Sequence, residues 1–153
     1  LYDTFAGMTE PTEKDVRASD SFPAIHVWEK MREKDYNKWA FASIQEVKNN
    51  MLSTRYPEKN IIFVEGKVED TIPGIIPSQI ALLRLDTDWY ESTYHELKHL
   101  FPLLSNRGVL IVDDYGHFAG AREAVDTYLK EHNITMLLNR IDYTGRLGIK
   151  LEK

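Results

Sequence analysis

The sequence contains no cysteine, which removes disulfide scaffolds, thiolate zinc sites and thiol nucleophiles together and leaves the redox compartment open. It has no apolar run approaching the roughly 20 residues that cross a bilayer, and Leu1 to Phe5 is too short and too acidic to serve as a signal peptide. Neither GxxxxGK[ST] nor GxGxxG occurs, so the phosphate cradle of P-loop proteins and the dinucleotide fingerprint are both missing. Basic charge is scarce as well: 19 Lys and Arg stand against 24 Asp and Glu, for a formal charge of -5. That balance favours solubility and repels a phosphate backbone. The nearest thing to a basic patch, Lys30, Arg32, Lys34 and Lys38, is interleaved with Glu29, Glu33 and Asp35, as on a solvated helix face. Neither a nucleic acid nor a membrane is expected as a partner.

What is present is a chain of 153 residues, 42% hydrophobic, enough for one domain with a real core. It opens on Leu1, and LYDTFAGM reads as the end of a strand entering a loop, so the chain is expected to begin inside a fold. Residues 7–39 are polar and loop-like, with a short helix in FPAIHVWEKM that sets Trp28 and Met31 on one side. Together with His26 and Trp39 this segment is expected to form a flexible lid or acceptor-binding element. Ser43 and Glu46 form a capping box, and Ile44, Val47 and Met51 an apolar stripe, which predicts a helix over 43–54. Three apolar runs follow: NIIFVEG at 60–66, QIALLRLD at 79–86 and GVLIVDD at 108–114. Their near-continuous Ile, Leu and Val predict strands buried on both faces. Between the last two, a helix starting near Ser92 with Glu96 completing a second box presents Leu97, Leu100, Phe101 and Leu104 to the sheet, and Gly108 ends that connection. A helix over 120–132 carries Ala124, Val125, Tyr128 and Leu129. TMLLNRI and LGIKL, joined through Asp142 to Arg146, are too close for a parallel return and must pair antiparallel. The expected architecture is α/β, a sheet closed by a C-terminal antiparallel hairpin.

In such a sheet ligands bind beyond the carboxyl ends of the strands, and here every apolar run ends in acid: Glu65, then Asp86 and Asp88, then Asp113 and Asp114. One such carboxylate can simply cap the next helix. If the second and third strands are neighbours, four of them converge, and that much like charge needs a cation or raised pKa values. Oxygen ligands without thiols favour a hard ion: magnesium, then manganese or calcium. His117 follows the acidic pair closely enough to contact substrate or to be an ordinary loop residue. Trp89, Tyr90 and Tyr115 can wall an acceptor pocket or pack in the core. His95 and His99, four apart on a helix, lack a third zinc ligand. Arg84, in a strand, is expected to pair with an acidic neighbour.

Four segments, LYDTFAGM, GKVEDTIP, IALLRLDTDWYEST and VLIVDDYGHFAGAREAVDTY, closely resemble the macrocin O-methyltransferase family. The resemblance implies a class I methyltransferase (Rossmann-like) sheet of seven strands with a terminal antiparallel hairpin. It also implies a cytoplasmic enzyme that uses S-adenosylmethionine and Mg2+ to methylate a hydroxyl of a small-molecule acceptor, a sugar or sugar-bearing natural product, often in antibiotic biosynthesis. Carried over residue by residue, the metal ligands fall on Asp86, Asp113 and Asp114, and the general base on Asp88. The carboxylate that holds the cofactor's ribose falls on Asp3, with Phe5 beside it, and the segment near the adenine on Glu69 and Asp70. The glycine-rich loop that carries the cofactor's amino-acid end should lie upstream of Leu1, so the first strand and its helix are expected to be absent from this chain. A homo-oligomer is also compatible with the resemblance. The competing expectation is a catalytically silent α/β binding or assembly domain that retains the acidic site.

Overall fold

In the computed structural model, which describes residues 1–151, the chain divides into two compact units. One comprises Leu1–Glu10 and His26–Ile75; the other comprises residues 11–25 and the chain from Ile76 onward. Segment 7–39 is thus distributed over both.

The first unit contains β1 (Tyr2–Asp3), α1 (Ile25–Met31) apart from its first residue, α2 (Ile44–Ser53), β2 (Val64–Glu65) and α3 (Val68–Thr71). Helix α2 begins where the capping box places it: the Ser43 hydroxyl accepts the Glu46 amide at 3.3 Å. Strands β1 and β2 run parallel, Tyr2 opposite Val64 and Asp3 opposite Glu65. The run at 60–66 therefore yields only two residues of strand, and Ile62 is exposed. It lacks the double-sided burial its composition suggested, because β1 offers only a two-residue ladder. Helix α1 buries Trp28, whose indole N–H donates to the Met8 carbonyl at 2.9 Å. Met31 is exposed instead of sharing that side, since the seven-residue helix ends there and has no further turn to extend an apolar stripe. Gly7, at φ +80°, is required where it stands: a Cβ there would meet the Asn37 carbonyl oxygen at 1.9 Å.

The second unit contains β3 (Ile80–Leu85), α4 (Tyr90–Leu100), β4 (Leu104–Val112), α5 (Ala119–Glu131), β5 (Asn139–Arg140) and β6 (Arg146–Ile149). Its four strands are ordered β3-β4-β6-β5; β3 and β4 are parallel, and β6 is antiparallel to both β4 and β5. The mixed sheet and the C-terminal hairpin are as expected. Helices α4 and α5 pack on one another, and α4 packs on β3. Leu83, Leu85, Leu110, Val112, Leu97, Leu100, Ala124, Val125 and Tyr128 form the core, each larger aliphatic contributing about 1.5–3 kcal/mol. The alternate residues of β3 differ from the expectation of burial on both faces: Leu82 is 58% exposed and Arg84 is exposed too.

Two other local expectations give way. Strand β4 starts at Leu104, so Gly108 lies inside it rather than ending a connection. The pairing shifts register between Ile80 and Leu82, Arg107 takes φ +64°, and a Cβ on Gly108 would meet Leu104 Cδ1 at 2.7 Å. This glycine serves a strand irregularity. Helix α4 starts at Tyr90, two residues before Ser92, and no capping box forms. Ser92 instead donates its hydroxyl to the Thr87 and Trp89 carbonyls, and the Glu96 carboxylate accepts from the Thr87 hydroxyl at 2.8 Å. The amide that needed a cap, that of Tyr90, is taken by Asp15 at 2.8 Å. Among the described residues no helix is long and apolar enough to cross a membrane.

Candidate functional site

Parallel pairing sets Arg84 opposite Ile111 and Leu85 opposite Val112, and the Asp113 amide donates to the Leu85 carbonyl at 3.0 Å. The ladder thus delivers the two acidic tails to the same edge of the sheet. Carboxylate oxygens of Asp86, Asp88 and Asp114 all lie within 4.8 Å of one another. Asp113 is joined to the group through Arg84, whose guanidinium reaches Asp86 Oδ2 at 2.5 Å and Asp113 Oδ2 at 3.1 Å. Asp86, Asp88 and Asp114 therefore meet directly, whereas Asp113, expected as a ligand, joins them only through Asp86 and Arg84, and Arg84 has the acidic partners expected of it.

The backbone aims these groups. Asp88 has φ +66°, a left-handed conformation that aspartate tolerates better than most residues, and the Trp89 amide closes the turn onto the Thr87 carbonyl at 2.8 Å. Trp89 is buried and meets Phe118 edge-on at 4.9 Å between ring centroids, so it packs in the core and joins the loop after β3 to the loop after β4. In the second loop the Asp114 carbonyl accepts the amides of His117 and Phe118, both at 3.0 Å. Gly116 approaches the hairpin turn so closely that a Cβ would lie 2.0 Å from the Tyr143 carbonyl oxygen.

The electrostatics follow from crowding. Desolvation, reinforced by the negative charge of Asp114, pushes the Asp88 carboxyl up to about 9. Asp86 rises to about 6 by desolvation and a hydrogen bond with Asp113, opposed by Arg84. Asp114 is also raised, by desolvation first. Without a cation the cluster is thus kept tolerable by protons and one guanidinium. A hard ion can replace both, since Mg2+ takes oxygen ligands at about 2.0–2.1 Å and Ca2+ at about 2.3–2.6 Å, so two ligands across one ion stand about 4–5 Å apart. The spacing of Asp86, Asp88 and Asp114 and their carboxylate-only donor set fit such an ion.

The remaining candidates are distributed as follows. His117 Nδ1 is hydrogen-bonded to the Tyr143 hydroxyl. The Tyr115 hydroxyl donates to Asp126 at 2.7 Å, and desolvation followed by that bond pushes it up to about 12. The Tyr90 ring lies under Lys14 Nζ, 3.4 Å from its centroid. The rings of His95 and His99 are 4.6 Å apart but belong to no larger ligand cluster among the described residues. In the first unit, Asp3 is exposed at the carboxyl end of β1, and its Oδ1 accepts the Phe5 amide at 2.6 Å. Phe5 is buried with φ +50°, and Glu69 and Asp70 are exposed on α3. Sequence reasoning missed Asp15. It lies in the polar run TEKDVRASDS, where no periodicity or capping pattern marks it as buried.

Comparison with known proteins bears on the fold and the family. The chain is 34% identical over 143 residues to the 8-demethyl-8-(2,3-dimethoxy-alpha-L-rhamnosyl)-tetracenomycin-C 4'-O-methyltransferase of Streptomyces olivaceus, covering 94% of this chain and 51% of that protein. It is 33% identical to the demethyldecarbamoylnovobiocin O-methyltransferase of Streptomyces niveus, with the same coverage. The chain spans about half the length of the curated relatives it matches. The solved structure of the O-methyltransferase NovP superposes with a TM-score of 0.79 at 29% identity, covering 99% of this chain and 59% of that one. The fold is accordingly that of the class I O-methyltransferases. The family model described as macrocin-O-methyltransferase (TylF) matches residues 1–147, and the chain belongs to that family.

Proposed function

We propose that this chain carries the acceptor-activating centre of a magnesium-dependent O-methyltransferase that moves a methyl group from S-adenosylmethionine to a hydroxyl of a sugar or sugar-bearing natural product. The observation that carries the reading is the convergence of Asp86, Asp88 and Asp114 at the ends of two adjacent parallel strands, with Asp113 tied to them through Arg84. The names of the two relatives support the reaction class, and the rhamnosyl group in the first supports a sugar-bearing acceptor.

In this reading Asp86, Asp113 and Asp114 hold the cation. When bound, such a cation lowers the pKa of a coordinated hydroxyl, and the sulfonium donor supplies a methyl with its own leaving group. Asp88 accepts the hydroxyl proton at its carboxylate. It can do so only when positive charge at the cluster has lowered its pKa, so its basicity is coupled to the loading of the site. Arg84, which offsets the charge of Asp86 and Asp113, would share that task with a cation held there. Asp3, an exposed carboxylate at a parallel strand end, is assigned to the ribose hydroxyls, with Phe5 beside it and Glu69 and Asp70 toward the adenine. Nearly all the rate enhancement then comes from positioning and charge placement.

The test is transfer of labelled methyl from S-adenosylmethionine to a panel of glycosides by the protein that carries this chain, with Mg2+, after EDTA, and after Mg2+ is restored. Methyl ether formation at a sugar hydroxyl, lost with EDTA and regained with Mg2+, is expected. Absence of transfer to every glycoside, or transfer indifferent to EDTA, contradicts the proposal.

A further inference from the structure

Asp15 is fully buried, a costly place for a carboxylate unless every lone pair finds a donor. Its Oδ2 accepts the Thr12 amide at 2.7 Å and the Thr12 hydroxyl at 2.9 Å, while Oδ1 accepts the Tyr90 amide at 2.8 Å from 75 residues away. Tyr90 is the first residue of α4, so a negative charge there also meets the favourable end of the helix dipole. Gly120 leaves the room: a Cβ on it would come within 2.2 Å of Asp15 Oδ1. The residues next to Asp15 hold the other acidic loop. The Ala119 amide donates to the Val16 carbonyl at 2.9 Å, the Ala18 amide to the His117 carbonyl at 2.7 Å, and Arg17 bridges Phe118.

We infer that Asp15 is a positioning residue for the acidic centre, the fixed point of a strap over residues 12–18 that ties the loop bearing Asp88 to the loop bearing Asp113 and Asp114. Asp88 precedes Tyr90 by two residues and sits in a left-handed turn, a conformation held only when its surroundings determine it. The Asp15 bond to the Tyr90 amide fixes the far end of that turn, and the Trp89–Phe118 contact links the two loops. The value of this inference for metal binding rests on reading the cluster as a cation site; the strap itself does not.

Asp15→Ala, Asp15→Asn and the wild-type chain are compared by amide hydrogen exchange, Mn2+ binding and thermal denaturation. In Asp15→Ala, exchange accelerates at Tyr90 and at Ala18 and Ala119, while Leu110 and Val112 in β4 keep their protection. Mn2+ affinity falls roughly 10- to 100-fold, as for other residues that orient ligands. Asp15→Asn keeps one oxygen for the Tyr90 amide but sets its NH2 against the Thr12 N–H, so it recovers protection at Tyr90 and only part of the Mn2+ affinity. Gly120→Ala, helix-favouring by propensity, crowds Oδ1 and weakens Mn2+ binding in the same direction. Unchanged exchange at Tyr90, a loss of protection that includes β4 equally, or undiminished Mn2+ affinity in Asp15→Ala overturns the inference. A wild-type chain that binds no Mn2+ removes the cation reading of the cluster, and the exchange pattern then decides the strap by itself.

Discussion

The carboxyl of Asp88 is hydrogen-bonded to the carboxylate of Asp114 across the ends of two adjacent strands, Asp88 keeping the proton and Asp114 accepting it. The negative charge of Asp114 raises Asp88, whereas the bond from Asp88 lowers Asp114 and opposes the desolvation that raises it. Asp88→Asn preserves the hydrogen-bond donor and tolerates the left-handed backbone. The variant is expected to fold and to lose about 100- to 10,000-fold in methyl transfer. Turnover within a few-fold of wild type would remove Asp88 as the base.

Stability should depend on pH in a direction unusual for carboxylates. The folded pKa values of Asp86, about 6, and Asp88, about 9, both lie above the ordinary carboxylate value, so the folded state holds protons that the unfolded chain releases first. Their contribution is fully present below the unfolded value and is lost as the pH rises through the folded ones. Without divalent ions the melting temperature is therefore expected to decline between about pH 4 and about pH 9 on account of this cluster. Added Mg2+ should raise it more at about pH 8 than at about pH 5, because the ion takes the place of the protons. Equal shifts at both pH values would contradict the assignment.

Arg84 lowers the Asp86 pKa through its charge and its hydrogen bond. In Arg84→Gln the Asp86 carboxyl is expected to titrate above its value of about 6, as followed by carboxyl-carbon NMR in the metal-free chain. A fall would show that the salt bridge does not govern this group.

Gly116 stands where the loop after β4 meets the hairpin turn. Gly116→Ala places a methyl against the Tyr143 carbonyl oxygen, 2.0 Å from the ideal Cβ, and neither backbone can step aside without moving Asp114 or the turn. A loss of about 1–3 kcal/mol in urea denaturation is expected; a change within about 0.5 kcal/mol would mean the two segments separate easily.

Much of this centre is readable in the amino-acid sequence. The runs ending in Asp86 and Asp113 are strands, they are neighbours, and their acidic tails meet, because apolar strand cores and strand-end chemistry are local signals. The Ser43 cap is real for the same reason, its hydroxyl taking the Glu46 amide. Ser92 and Glu96 stand four apart rather than the three a capping box needs, and form none; the cap comes from Asp15, 75 residues before Tyr90, and no local pattern encodes such a partner. Gly108 looked like punctuation because glycine commonly ends elements, whereas here it absorbs a close approach by Leu104 within β4. The left-handed turn at Asp88 was equally hidden, being imposed by the segments around it rather than by the DTDW sequence.

The most direct test of the central claim is isothermal titration of the metal-free chain with Mg2+ and Mn2+ at about pH 8, alongside the Asp86→Asn, Asp114→Asn double variant. The account predicts one ion bound per chain with release of protons, and binding abolished in the double variant. Absence of binding to the folded wild-type chain at millimolar ion, or binding undiminished in the double variant, would contradict it.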